Sequence, residues 1–264
     1  MRMTWAVVLA LAVPLAARGE PAAVDWQKRV VRCTGTGAPN LRDAQNNVAV
    51  ARIGAERAAR LDALRNCLEA VRGVRVSGEQ TVGGALSADP GLRAQVEGVV
   101  KGFQLVGKPR YFSDGGVEMD VEVPLDGVAA AVVPQPAAPA AAPAGGAGGT
   151  GGPTGLLVDA RGTGLQPALS PRLVDEKGLE LYSAGSVSPE LRKKTGAAAW
   201  SRDPSSARKD QGERLGEKPL EVKAVKAQGS DAVLDEQAAA AVKAAPGMLA
   251  EGRVVFVTEG GADR

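Results

Sequence analysis

The eight residues CTGTGAPN, positions 33–40, stand between a short apolar run and a long helical pattern. Their reading decides the fold. A glycine-rich turn from strand to helix is where dinucleotide-binding folds cradle a pyrophosphate, and that cradle needs G-x-G-x-x-G. Gly35 and Gly37 fill the first two places, but Asn40 holds the third and Pro39 precedes it. The helical pattern that follows is too long for a short crossover, and the next strand reaches an acid only at Glu79. The stretch therefore reads as a connector. Gly35 and Gly37 let the chain bend out of the first strand, and Asn40 caps the helix.

Working outward, residues 26–34 read as a strand. Residues 41–73, LRDAQNNVAVARIGAERAARLDALRNCLEAVRG, read as one helix stopped at Gly73. Val48, Ala51, Ala55, Ala58, Leu61, Leu64, Leu68 and Val71 recur at helical spacing as its inward stripe. Arg52, Glu56, Arg60, Arg65 and Glu69 form a solvated face of mixed sign. Residues 73–86 read as a strand and residues 89–102 as a short helix begun by Asp89 and Pro90. Residues 103–125 read as a hairpin turning at Asp114-Gly115. In its second arm Val117, Met119, Val121 and Val123 face inward, and Glu118, Asp120 and Glu122 outward. Those carboxylates are about 6.5–7 Å apart, too wide for one calcium ion without loop ligands. Cys33 points inward on the strand and Cys67 inward on the helix. They either form a disulfide closing a loop of about 35 residues or are two buried thiols.

The order of apolar strand, TGTGAPN, ARIGAERAARLDALRN, GVRV and the closing pair YFSDGGVEMDVEVPL resembles the LPP-twenty lipoprotein family. It is also similar to the N-terminal region of the flagellar assembly protein T group. The resemblance covers about residues 24–127. It implies a small envelope protein of Gram-negative bacteria, tied in some members to flagella, motility or the cell surface, and it implies no catalytic residues. Many members carry a lipidated cysteine directly after the signal peptide, whereas Cys33 lies well beyond that place.

The first residues give the compartment. Arg2, the apolar run from Trp5 to Ala17 and the small residues after it have the layout of a signal peptide, residues 1–19, cleaved after Gly19 or else after Ala22 or Ala23. Removing it takes away Arg2 and Arg18 and no acid, which cancels the chain's formal charge of +2. A neutral chain with 3% aromatic residues has neither the charge nor the stacking platforms for nucleic acid. No later segment is long and apolar enough for a transmembrane anchor. The chain has no histidine and two cysteines. Ser-His-Asp and Cys-His nucleophiles, His-ligated zinc or haem and Cys-only metal clusters are thereby excluded.

Residues 134–155, rich in Pro, Ala and Gly, read as a disordered linker. It separates an α+β domain, residues 20–133, from a second small α+β domain, residues 156–264. The second half resembles the C-terminal part of uncharacterised exported bacterial proteins. It opens with a strand at Leu156–Asp159, then a loop and a hairpin turning at Lys177-Gly178. Residues 188–218 read as loop with one short helix, followed by a strand from Pro219, a helix capped by Asp235 and a final strand near Val254. Ser206 to Lys209, Lys194-Thr195-Gly196 and Ser230-Asp231 mimic the penicillin-binding triplets in the wrong order. Asp159, Arg161 and Asp175 are the candidate ligand or ion site; an Asp–Arg pair tying loop to hairpin is the plainer account. The expectation is an exported, non-enzymatic envelope protein without cofactor, working through contacts with other envelope proteins. The alternative is a periplasmic enzyme or small-ligand binder using the C-terminal carboxylates.

Overall fold

A computed structural model describes residues 22–42, 47–133 and 152–259. The expected signal peptide, residues 1–19, and most of the expected linker, residues 134–151, lie outside them. The first half contains β1 (Ala22–Asp25), β2 (Val30–Gly37), α1 (Val48–Gly73), β3 (Arg75–Ser77), β4 (Gln80–Thr81), α2 (Val82–Ala88), α3 (Pro90–Lys101), β5 (Gln104–Tyr111), β6 (Val117–Pro124) and α4 (Leu125–Val132). Four strands pair antiparallel in the order β1-β2-β6-β5, and α1 lies across them. This half is the expected α+β arrangement.

The glycines of the opening stretch do something other than turn the chain. Both lie inside β2. A Cβ at Gly35 would sit 2.2 Å from the Ala59 carbonyl oxygen and 2.3 Å from the Ala63 nitrogen. At Gly37 it would sit 2.0 Å from the Ala55 carbonyl oxygen. The backbones of strand and helix therefore touch, and only glycine against alanine allows it. This corrects the helix register. The buried row is Ala51, Ala55, Ala59, Ala63, Cys67 and Val71, whereas Val48 is 72% and Leu61 67% exposed. The cap is Asn47, not Asn40; its Oδ1 accepts from the Ala49 and Val50 N–H groups. Beyond the last residue paired with β1, the free edge of β2 is satisfied by the helix itself. Asn66 Nδ2 donates to the Thr34 carbonyl at 2.8 Å, and Asp62 accepts from the Thr36 N–H at 2.9 Å. Edge groups that would otherwise want water or another strand are thus paired.

Cys33 and Cys67 form a disulfide, with Cα atoms 5.6 Å apart. Around it Val31, Val71, Val96, Val121, Val123 and Leu125 make the core. The expected strand over residues 73–86 is instead the small β3–β4 hairpin followed by α2, whose cap is Thr81. Asp89 begins α3 with Pro90 at its first position, and the hairpin turns at Gly115 with φ 83°, as the spacing predicts.

The second half contains β7 (Gly155–Asp159), β8 (Arg172–Asp175), β9 (Glu180–Tyr182), α5 (Pro189–Thr195), β10 (Ala199–Ser201), α6 (Pro204–Asp210), α7 (Gly212–Leu215), β11 (Pro219–Gln228), β12 (Asp231–Leu234), α8 (Glu236–Lys243), α9 (Pro246–Ala250) and β13 (Val254–Val257). One mixed sheet has the order β10-β13-β7-β11-β12-β8-β9, with parallel pairs at β10–β13, β13–β7, β7–β11 and β12–β8. Strand β13 and residues Leu156 to Val158 of β7 are apolar without a break because both faces are covered, whereas β11 beside them alternates, with Glu221 and Lys223 exposed. Leu156, Val158, Val254 and Phe256 face one core, and Leu157, Val255 and Val257 the other. The polar stretch 188–218 holds three short helices and a strand where one helix was expected. At the C-terminal end of the expected linker, Thr154 Oγ1 donates to the Leu215 carbonyl at 2.7 Å, and Gly155 already belongs to β7.

The two halves pack against each other. Trp26 meets Trp200 edge-on, with ring centroids 6.2 Å apart, and Trp200 stacks on Phe256. Leu169 enters the first core while its N–H donates to the Arg75 carbonyl at 3.0 Å. The Ser170 N–H donates to the Val76 carbonyl at 2.8 Å.

Candidate functional site

The residues singled out in the sequence are placed as follows. Asp159, at the end of β7, is gripped by Arg161 two residues on, with Nε–O 2.9 Å and Nη2–O 2.7 Å. Arg161 holds the Asp159 carboxyl below the usual carboxylate range. The pair closes its own loop rather than tying it to the hairpin. Asp175 ends β8 and accepts from the Leu179 and Lys177 N–H groups at 2.9 and 3.0 Å, with Lys243 Nζ at 3.2 Å. Those bonds, the Leu179 N–H first, lower its pKa. Strands β11 and β12 stand between β7 and β8, so Asp159 and Asp175 are three strand spacings apart, about 14 Å. The structure brings Asp159 to Arg161 and leaves Asp175 elsewhere.

The penicillin-binding mimics are also dispersed. Ser206 Oγ donates to Asp203, the cap of α6, at 2.7 Å. Ser230 is buried between β11 and β12, and Asp231 pairs with Arg172. The outward acids of β6 are spent on a ladder of ion pairs. Arg32 grips Glu122; Arg110 grips both Glu118 and Asp120, and Thr34 Oγ1 donates to Asp120 at 2.8 Å. Among the described residues no group of three or more acids and cysteines is placed to hold a metal ion.

Arg110, with help from Thr34, holds the Asp120 carboxyl below its ordinary value. A carboxylate whose folded pKa is lowered stabilises the fold above its unfolded pKa, and loses that contribution as pH falls through the folded one. Arg110→Ala should therefore cost at most about 1 kcal/mol at pH 7, because the guanidinium is half exposed. The gap to the parent should close between pH 7 and a strongly acidic pH at which Asp120 is protonated even in the folded chain. Urea unfolding at both pH values checks this; an unchanged gap at low pH would show that the cost is packing.

The surface with unspent capacity lies between α1 and the edge strand β5. Ile53 on α1 is 50% exposed and Leu105 on β5 is 48% exposed. With Phe103 and Met119 between them they line a groove of about 330 Å³, rimmed by Glu56, Arg57 and Arg60. Arg60 lies over the Phe103 ring at 5.2 Å. At the far end of β5, Arg52 stacks on Tyr111 at 3.8 Å and the Tyr111 hydroxyl donates to Glu56 at 3.0 Å. Phe112 follows, 51% exposed. The β5 ladder is broken between Val106 and Arg110, where Gly107 has φ 71° and Pro109 lacks an N–H. Those features guard an edge against strand addition, so a partner would be held here by side chains. The expected inward stripe, which ran through Val48, Ala58 and Leu61, did not include Ile53 and so hid this groove. The available signal was Ile53, which stands off the alanine row.

Residues 155–260 match a family model described as the second domain of Treponema pallidum Tp0624. The match begins at the first residue of β7 and spans the mixed sheet. Neither the LPP-twenty family nor the flagellar assembly protein T group is matched. The comparison with curated proteins gave no match. Similarity to a domain of a spirochaete protein is what the second half carries.

Proposed function

We propose that the protein is an exported, non-enzymatic component of a bacterial cell envelope that works by contact with another envelope protein. The observation that carries this reading is the groove of Ile53, Phe103, Leu105 and Met119 with Arg57 and Arg60 at its rim. Arg57 has no carboxylate partner among the described residues. The groove suits an acidic segment that also presents apolar side chains: these would cover the exposed Ile53 and Leu105, and its carboxylates would meet the rim arginines. Export is supported by the N-terminal signal pattern and by a disulfide, which persists in oxidising compartments. The resemblance of residues 24–127 to the LPP-twenty and flagellar assembly groups supports a role in motility or surface assembly.

Ile53→Asp with Leu105→Asp tests the reading. Both side chains are half exposed, so the variant should unfold within about 0.5 kcal/mol of the parent. Blue-native electrophoresis of gently solubilised envelopes should show the parent in a larger complex and the variant only as the free chain. If the variant stays in the complex, the groove is not the contact surface.

A further inference from the structure

The side of α1 turned away from the sheet is as regular as the buried one. Ala51, Ala55, Ala59, Ala63 and Cys67 face the sheet. Two residues turn a helix through about 200°, so the positions two places on stand directly opposite. They are Ile53, Arg57, Leu61, Arg65 and Glu69, all exposed. At four-residue steps they make one ridge about 24 Å long. Leu61, at 67%, is the most exposed leucine among the described residues.

The helix holds three acids, and two are engaged elsewhere. Glu56 accepts from the Tyr111 hydroxyl at 3.0 Å, with Arg52 alongside at 3.9 Å. Asp62 accepts from the Thr36 N–H at 2.9 Å. Glu69 is left on the ridge, and among the described residues neither it nor Arg57 nor Arg65 has an ion pair. In chain order the ridge therefore reads apolar, cation, apolar, cation, anion.

That order matches itself when reversed. With two copies of α1 antiparallel and centred on position 63, Arg57 meets the partner's Glu69 and Glu69 meets the partner's Arg57. Leu61 then lies on the aliphatic stem of the partner's Arg65. A parallel pairing in register would oppose arginine to arginine and glutamate to glutamate, and a uniformly acidic partner would repel Glu69. The antiparallel match is isologous, as a two-fold dimer requires. It also sets the i, i+4 ridges of both helices side by side, the commonest way helices pack.

We infer that this ridge is a self-association surface, on which a second copy of the chain docks with its α1 antiparallel. The inference goes beyond the contact at the α1–β5 groove and does not rest on it. The two surfaces share Ile53 and Arg57, whereas Leu61, Arg65 and Glu69 belong to the ridge alone and Phe103, Leu105 and Met119 to the groove alone. One helix face is small among protein interfaces, so the dimer is weak, with dissociation in the micromolar range. Its ion pairs are exposed, so salt loosens it.

Sedimentation equilibrium of the full chain over a range of concentrations reads the association. Glu69→Arg turns both ion pairs into repulsions and should weaken the dimer at least about tenfold. Adding Arg57→Glu to that variant reverses the pairs and should restore the affinity to within about threefold of the parent. Both positions are exposed, so circular dichroism should show parental folding in each variant. Leu105→Asp, which alters the groove and not the ridge, should leave the dimer intact, so failure of either reading is seen separately. The proposal is overturned if the parent is a monomer at every concentration, if Glu69→Arg associates as the parent does, or if the charge swap fails to restore association.

Discussion

Gly37→Val should leave the first half of the chain without a cooperative unfolding transition. The new Cβ would lie 2.0 Å from the Ala55 carbonyl oxygen and 2.6 Å from the Ala59 nitrogen. These are backbone atoms of a 26-residue helix, so no side chain can swing aside to make room. The helix would have to lift off β2, breaking the Asn66 and Asp62 bonds to that strand and opening the core around the disulfide. Even Gly35→Ala, which adds one methyl group, should cost about 3 kcal/mol or more, at the upper end for overpacking. For a domain of this size that is a fall in Tm of about 10 °C or more. Circular dichroism during heating measures it. A glycine in an open turn would accept alanine with little change, so a near-parental Tm would restore the connector reading.

Loss of the disulfide should be nearly as damaging. Cys33 and Cys67 are separated by 34 residues in sequence, and releasing that loop in the unfolded chain costs about 3–4 kcal/mol in the chain-entropy account. The Cys33→Ala/Cys67→Ala variant should melt about 10 °C or more below the parent. A thiol reductant should lower the parent's Tm by a similar amount and leave the variant's unchanged. A parent insensitive to reductant while unfolding would show that the bridge contributes nothing to stability.

What could be read from the residues follows from how local each determinant is. Inward direction on a strand alternates, and inward direction on a helix recurs, so Cys33 and Cys67 could be placed on facing surfaces. The hairpin at Asp114-Gly115 and the caps at Asp89 and Asp235 are equally local and stand where the spacing puts them. The helix register holds at Ala51, Ala55 and Val71 and slips at Val48, Ala58 and Leu61 for a physical reason. Hydrophobic stripes are sought in large side chains, but this helix comes so near its strand that only alanine fits, and Leu61 is left in solvent. Strand β12, four residues long, and the parallel pairings of the second sheet have no local signature, because register between distant strands is set by packing. The Asp159–Arg161 pair was legible as a pair. That Asp175 lies two intervening strands away was not, since strand order decides it.

Position-specific photocrosslinking in the living host most directly tests the claim that the protein acts through a protein contact at α1 and β5. A photoreactive residue in place of Leu105 should yield one discrete crosslinked species in the envelope. Combining it with Arg57→Glu and Arg60→Glu should abolish that species, and the same probe at exposed Glu176 on the opposite half should give none. The account is contradicted if Leu105 yields no species, if reversing the rim charges leaves it intact, or if Glu176 yields the same one.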